Sequence, residues 1–279
     1  MKPFSRIVVP LDGSESSARA APVAAALGQQ IGVPISLVTV AVHEDHVDTA
    51  ARVLRHAACH FDQQPIECDV EVGLPAADAL LGYLSAKSAP LVVMSTHART
   101  AVGELLLGST ADELVRRSPV PIVLVGPHVE LPAPRSTYRE IIACLDNSDE
   151  SQLLLPVVTS LSRFGVHTWL FQVVSDSGVP STVPEGDVLE ANVVRRAGEK
   201  LRLAGTSVDW DVGHDDDRAR AILRFATSRD APIVALATHG RHPVDRLSAS
   251  SVTVTVARSS PCPVLVIGPS YEDTALGAK

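Results

Sequence analysis

Residues 94–110 have the order of a loop that binds phosphate through its backbone. An apolar run leads into a tight polar segment, a variable arm and then Gly108-Ser109, which opens a helix-like stretch. Phosphate requires converging backbone N–H groups and the amino end of a helix, and the hydroxyls of Ser109 and Thr110 add donors. Ser109 with Asp112 also matches a helix-capping pair, so these residues have a purely structural interpretation as well.

A carboxylate follows another apolar run, near the amino terminus. Asp12 comes directly after Val-Val-Pro-Leu and precedes Gly13-Ser14. Its side chain can cap the following helix or accept a hydrogen bond from a ligand. We find no acid–base pair, no nucleophile with a partner base and no P-loop lysine. An enzyme, such as a slow ATPase or phosphotransferase, is therefore the least supported class of function.

The chain repeats itself. Three segments recur in the same order: 6–17 at 140–151, 89–99 at 231–241, and 118–127 at 260–269. The second pair is identical at six of eleven positions and the third at five of ten. The offset grows from 134 to 142, which indicates an insertion near 175–187. Matching blocks in one order indicate a tandem duplication.

Each half alternates apolar strands with helices. In the first half the pattern predicts strands at 7–10, 35–42, 67–72, 91–94 and 122–125, and helices at 14–30, 47–61, 75–88 and 109–117. This order predicts an α/β fold: two tandem doubly wound domains, each a five-stranded, mostly parallel sheet with helices on both faces. Asp12 and Ser95 lie beyond carboxyl ends of strands, where such sheets bind ligands.

We place the first domain at 1–130, a linker at 131–137, the second domain at 138–270 and a tail at 271–279. Prolines and polar residues mark the linker, since they follow a completed strand. The linker is short, so we expect the two copies to pack on each other.

Composition narrows the class of protein. The formal net charge of −8 argues against nucleic acid as the main partner, because neutralising phosphate requires a basic surface. No apolar run approaches the roughly 18 residues of a membrane span, and the amino terminus lacks the apolar core of a signal peptide. The four cysteines are scattered, which is typical of reduced thiols. We expect a cytoplasmic protein with no membrane partner.

The motifs together resemble the universal stress protein family, and they do so in both halves. They are V-P-x-D-x-S, a strand ending in x-T-H-x-R, nine residues before G-S, and S-P-x-P before a final apolar strand. The resemblance implies a tandem member with an adenine-nucleotide-binding fold. It implies that ATP, ADP or AMP, with or without Mg²⁺, binds through G-x-x-G, nine residues and then G-[S/T].

The resemblance assigns binding residues by position. In the first half they are Pro10, Leu11, Asp12, Val40, Met94, Ser95, Ala98, Arg99, Gly108, Ser109 and Thr110. The corresponding residues of the second half are Asp146, Val173, Ala237, Gly240, Ser250 and Ser251. Each half keeps one motif glycine, Gly108 or Gly240. Because Ser250 replaces the glycine at the helix start, we predict a nucleotide site in the first half and a degenerate, structural second half.

Two alternatives stay open at this point. The chain is either a nucleotide-responsive stress protein or an interaction protein that has lost the nucleotide and acts through its surface. The resemblance implies contacts at strands 122–125 and 264–267, so we expect a homodimer. Residues 43–48 with His56 and His60 could hold zinc, but no closed ligand set is evident, and we predict no metal site. The run 214–218 could bind Mg²⁺ or begin a solvated helix.

Overall fold

The computed structural model describes residues 4–59, 61, 64–96, 107–133, 135–175, 192–238 and 251–271. The elements of the first half are β1 (Arg6–Pro10), α1 (Glu15–Ala18), α2 (Ala20–Ile31), β2 (Ile35–Ala41), a 3₁₀ turn (Glu44–His46), α3 (Val47–Ala58), β3 (Ile66–Val72), α4 (Ala76–Ser85), β4 (Pro90–Ser95), α5 (Ser109–Arg117) and β5 (Ile122–Val125).

The second half repeats this order. Its elements are β6 (Glu140–Cys144), α6 (Asp149–Gln152), α7 (Leu154–Ser162), β7 (His167–Val174), α8 (Asn192–Leu203), β8 (Val208–His214), α9 (Arg218–Thr227), β9 (Pro232–Ala237), α10 (Val252–Ser259) and β10 (Val264–Ile267). The helix α10 forms although its residues are β-branched, because Val254 and Val256 are buried against the sheet. The longest described helices have 12 residues, and no described helix is long and apolar enough to cross a bilayer.

All ten described strands form one sheet, in the order β3-β2-β1-β4-β5-β10-β9-β6-β7-β8. Within each half every strand pairing is parallel, which confirms the predicted doubly wound α/β fold. Side chains alternate between the faces. Ile7 and Val9 of β1 face the layer that contains α2 and α7, whereas Val8 faces the layer that contains α4, α5 and α10. A buried core therefore lies on each side of the sheet.

The two halves join at β5 and β10, which pair antiparallel with Val123 opposite Leu265. We expected these strands to be the edges of a homodimer, and that expectation is wrong for this chain. Their hydrogen-bonding edges are taken up by each other within one molecule. Because the pairing is antiparallel, the carboxyl ends of the strands in the two halves point in opposite directions. Sites beyond those ends lie at opposite ends of the sheet.

The outer edges of the sheet are β3 and β8. Both carry acidic residues: Glu67, Asp69 and Glu71 on β3, and Asp209 and Asp211 on β8. Charged side chains on an edge strand oppose pairing with another chain, since like charges would face each other. The sheet is therefore poorly suited to extension through its free edges.

The single helix predicted at 14–30 is two helices. Ser14 caps α1, and the chain bends at Arg19 before α2 begins. The guanidinium of Arg19 donates to the carbonyl oxygens of Pro127 and Val129, at 3.2 and 2.8 Å. The same break recurs in the second half at Leu153, between α6 and α7. In both halves a proline, Pro22 or Pro156, lies in the first turn of the second helix and has no N–H to continue the first one, so the sequence did mark this break.

Two glycines let the halves approach closely. Gly126 follows β5 and Gly268 follows β10. A Cβ at Gly126 would lie 2.2 Å from the carbonyl oxygen of Ala257 in α10, and a Cβ at Gly268 would lie 1.8 Å from that of Val115 in α5. Each strand end thus touches the backbone of a helix from the other half. No side chain fits at either position without separating the two.

We predict that Gly268→Ala lowers the free energy of unfolding by about 3 kcal/mol, because its methyl group would overlap the Val115 backbone. Gly82→Ala is the matched control. A Cβ there meets nothing within 4 Å, and α4 should gain about 0.5–1 kcal/mol. Urea unfolding followed by circular dichroism measures both. Equal stability of the two variants would contradict the close approach.

Candidate functional site

A cavity of about 170 Å³ lies in the first half, beyond the carboxyl ends of β1, β2 and β4 and against the amino end of α5. Nine of the eleven residues predicted for this half line it: Pro10, Leu11, Asp12, Val40, Met94, Ser95, Gly108, Ser109 and Thr110. The other two, Ala98 and Arg99, lie outside the described residues. Three separate strands and one helix therefore bring the predicted residues to one place.

Seven further residues line the same cavity and were missed: Ser17, Val38, Thr39, Ala76, Leu80, Leu107 and Ala111. Ala76 and Leu80 are four residues apart on α4, so they share a helix face. Their spacing in the sequence could therefore have predicted that both residues line the cavity. Ser17 gave no signal of its own, because its position depends on the turn after β1.

Asp12 closes a turn at the mouth of this cavity. Its Oδ1 accepts a hydrogen bond from the backbone N–H of Ser14 at 2.9 Å, and Gly13 has a φ of 82°. The cap of α1 is Ser14, whose Oγ accepts from the N–H of Ser17 at 3.0 Å. Asp12 therefore shapes the turn and lines the cavity, while the capping role belongs to Ser14.

Gly108 is the N-cap of α5, with φ 97° and ψ 142°. Residues with a side chain rarely adopt this conformation, so the glycine is required by the backbone itself. The Ser109–Asp112 capping pair is not realised, since Ser109 is the first residue inside the helix. Gly108, Ser109, Thr110 and Ala111 all line the cavity. The positive end of the helix dipole is therefore directed at it.

Ser95 ends β4 and is among the residues that line the cavity. It is 4% exposed, and its Oγ has no hydrogen-bond partner among the described residues. A buried hydroxyl without a partner costs about 1–3 kcal/mol relative to a satisfied one. A polar group of a ligand that reached the Ser95 Oγ would form the hydrogen bond that this atom lacks.

The second half contains a larger cavity, of about 490 Å³, at the equivalent position. Four residues predicted for this half line it: Asp146, Val173, Ala237 and Ser251. Gly240 and Ser250 lie outside the described residues. Asp146 repeats the turn of Asp12, because its Oδ1 accepts from the Ser148 N–H at 3.3 Å and the Ser148 hydroxyl at 2.6 Å.

The acidic run 214–218 forms the start of α9. Asp217 caps the helix, and its Oδ1 accepts from the N–H of Arg220 at 3.1 Å. Asp215 is buried and accepts from both Arg220 and the backbone of Asp217. The Arg220 guanidinium, helped by the Asp217 N–H, lowers the pKa of Asp215 from 3.8 to about 2. The helix-start interpretation of this run accounts for these contacts.

No group of three His, Cys, Asp or Glu residues able to hold a metal ion occurs within the described ranges. His43 precedes the 3₁₀ turn and His46 ends it, with their ring centroids 6.1 Å apart. His60, the last residue of the zinc hypothesis, lies outside the described ranges.

The cysteines are free thiols, and burial raises the pKa of the Cys144 thiol beside the second cavity. That thiol is poorly suited to nucleophilic chemistry.

The sequence model of the universal stress protein family matches residues 3–126 and 137–268. A universal stress protein of Mycolicibacterium smegmatis is 29% identical over 195 residues, which are 66% of this chain and 64% of that protein. Universal stress protein Rv2005c of Mycobacterium tuberculosis is 26% identical over 186 residues, 64% of this chain and 61% of its own length. The alignments thus span less than two thirds of these relatives.

Among solved structures, a universal stress protein from Archaeoglobus fulgidus superposes with a TM-score of 0.72. The match covers 95% of this chain and 97% of that one, at 19% sequence identity. At this identity the likeness concerns the fold. It extends over both halves, so the joined arrangement is shared and not only the single domain.

We predict a pH-dependent contribution from Asp215. Its pKa in the folded protein is below its ordinary value, so its stabilisation is present above pH 3.8 and is lost as the pH falls toward about 2. Asp215→Asn should lower the melting temperature at pH 7 and make little difference near pH 2. Thermal melts across this range measure the effect. Asp45→Asn, at an exposed position, is the control, and a pH-independent loss in Asp215→Asn would contradict the prediction.

Proposed function

The chain belongs to the universal stress protein family, with two copies of the family's domain in tandem, and we propose that it binds an adenine nucleotide in its first half. The nucleotide acts as a regulatory ligand and is not consumed by catalysis. The observation that carries this proposal is the convergence of Asp12, Val40, Ser95 and Gly108 on one cavity at the carboxyl ends of the strands.

The phosphate groups are expected at the amino end of α5. Ser109 and Thr110 in the first turn of this helix line the cavity, and the helix dipole favours negative charge there. Gly108 has no Cβ, so a phosphate can approach its backbone. The hydroxyls of Ser109 and Thr110 supply two more donors.

The base is expected on the opposite side, between Asp12 and β2. Val38 and Val40 give this side an apolar wall. Asp12 supplies a carboxylate that can accept a hydrogen bond from a base or a ribose. The cavity, at about 170 Å³, is smaller than the roughly 300–1,000 Å³ of pockets that enclose whole ligands. The base and sugar would therefore be enclosed, with the phosphates and any Mg²⁺ near the mouth.

Protein–protein interaction without a nucleotide is the alternative function. A homo-oligomer remains part of both proposals, but it must use surfaces other than β5 and β10, which pair within the chain. No saturable binding at millimolar ATP, measured by calorimetry with and without Mg²⁺, would favour this alternative and overturn the nucleotide proposal.

We predict that Ser109→Asp weakens ATP binding by about tenfold or more, because it places a negative charge beside the phosphates. Aspartate is favourable in the first turn of a helix, so the fold should be retained. Ser251→Asp, the same change at the equivalent position of the second half, is the matched control and should leave ATP affinity unchanged. Calorimetry decides between the two. A larger effect of Ser251→Asp would place the nucleotide in the second half and contradict the proposal.

We also predict that Ser95→Ala weakens ATP binding by about three- to tenfold without lowering the melting temperature. The hydroxyl has no partner among the described residues, so its loss should not destabilise the unliganded protein. Ser85→Ala, at an exposed position on α4, is the control for both measurements. Unchanged affinity in Ser95→Ala would show that the nucleotide does not reach the end of β4.

A further inference from the structure

The duplication provides an internal comparison, because the two cavities occupy the same place in the same fold. Their linings differ at a few defined positions. We propose that the cavity of the second half binds a small organic carboxylate with a flat apolar body, and that it does not bind a nucleotide.

Hydroxyl groups have changed position in this cavity. Ala237 stands where the first half has Ser95, and Val252 stands where it has Thr110, but Thr253 stands where it has Ala111. The amino end of α10 therefore keeps two hydroxyls, on Ser251 and Thr253, and Thr238 adds one beyond β9. The hydroxyls alone therefore do not distinguish the two cavities.

An aromatic wall has been gained. Phe171 on β7 replaces Val38, and its ring stacks on Phe225 of α9 with centroids 4.1 Å apart and planes 9° from parallel. Gly213 on the neighbouring strand makes room for it, since a Cβ there would lie 2.6 Å from Cζ of Phe171. The ring is thus held over β8 and beside the cavity without closing it. A fixed aromatic wall favours a flat apolar ligand.

A positive charge has been gained as well. Arg218, the first residue of α9, replaces Ala76 and lines the second cavity. It forms no salt bridge with any residue in the described part of the chain. A guanidinium in this position can bind a carboxylate through two parallel hydrogen bonds.

The carboxylates near Arg218 are engaged elsewhere. Asp215 accepts from Arg220, Asp217 caps α9, and Asp216 accepts from the hydroxyl of Ser175. Asp146, across the cavity, holds the turn at Ser148. The local geometry therefore directs these acids toward their own donors.

A buried amide adds a second recognition element. Gln172 is 6% exposed, and its Oε1 has no hydrogen-bond partner among the described residues. Gln172 lines a neighbouring cavity of about 380 Å³. This neighbour shares Asp146, Val173 and Arg218 with the 490 Å³ cavity of the second half. A ligand held by Arg218 and carrying a hydroxyl or amino donor could satisfy this oxygen.

The test is a calorimetric titration of the whole chain with 3-hydroxybenzoate. The neutral 3-hydroxybenzamide is the matched probe, because it keeps the ring and the donor but lacks the charge. We expect saturable binding of the carboxylate and affinity at least about tenfold lower for the amide. Arg218→Ala should weaken carboxylate binding by about tenfold, whereas Arg196→Ala, at an exposed position on α8, should not change it.

Phe171→Val introduces the residue that the first half has at this position, and it should also weaken the binding of 3-hydroxybenzoate. Circular dichroism checks that this variant folds. No saturable heat up to about 10 mM 3-hydroxybenzoate would overturn the proposal. So would equal affinity for the two probes, an unchanged affinity in Arg218→Ala, or displacement of the carboxylate by ATP in the Ser109→Asp variant. Ser109→Asp leaves the second cavity intact. Failure of the nucleotide proposal would therefore appear as absent ATP binding, whereas failure of this proposal would appear as absent 3-hydroxybenzoate binding.

Discussion

The antiparallel pairing of β5 with β10 is the contact on which the rest of the molecule depends. It turns two five-stranded sheets into one, and it works only because Gly126 and Gly268 let each strand end touch a helix backbone of the other half. Without those two glycines, the helices α5 and α10 could not lie where they do. Since α5 and α10 each border a cavity, the joint between the halves also sets the geometry of both sites.

This joint keeps the two cavities apart. The strands of one half end where the strands of the other begin, so neither cavity can borrow residues from its counterpart. Each lining is built from its own copy of the repeat. A change such as Ala76 to Arg218 can therefore alter one cavity while the other keeps its chemistry, and the two halves are free to bind different ligands.

Electrostatics separates the halves further. The first cavity combines the amino end of a helix with hydroxyl groups, which suits a phosphate. The second adds an arginine side chain and the ring of Phe171, which suits an organic anion. In both, the aspartate after the first strand serves the turn through a hydrogen bond from Ser14 or Ser148. This aspartate lines both cavities, and the differences lie in the residues around it.

The sequence by itself determined the duplication, the α/β class and the positions of the strand ends, since repeats and apolar periodicity are local properties of the chain. Motif spacing also marked Asp12 and Gly108 at strand and helix ends, and the resemblance to the family added Val40. Only the tertiary structure decided that β5 pairs with β10, that Ser17 and Thr39 join the first cavity, and that Arg218 and Phe171 border the second. These depend on contacts between segments distant in the chain, where backbone approach and side-chain volume decide which surfaces meet.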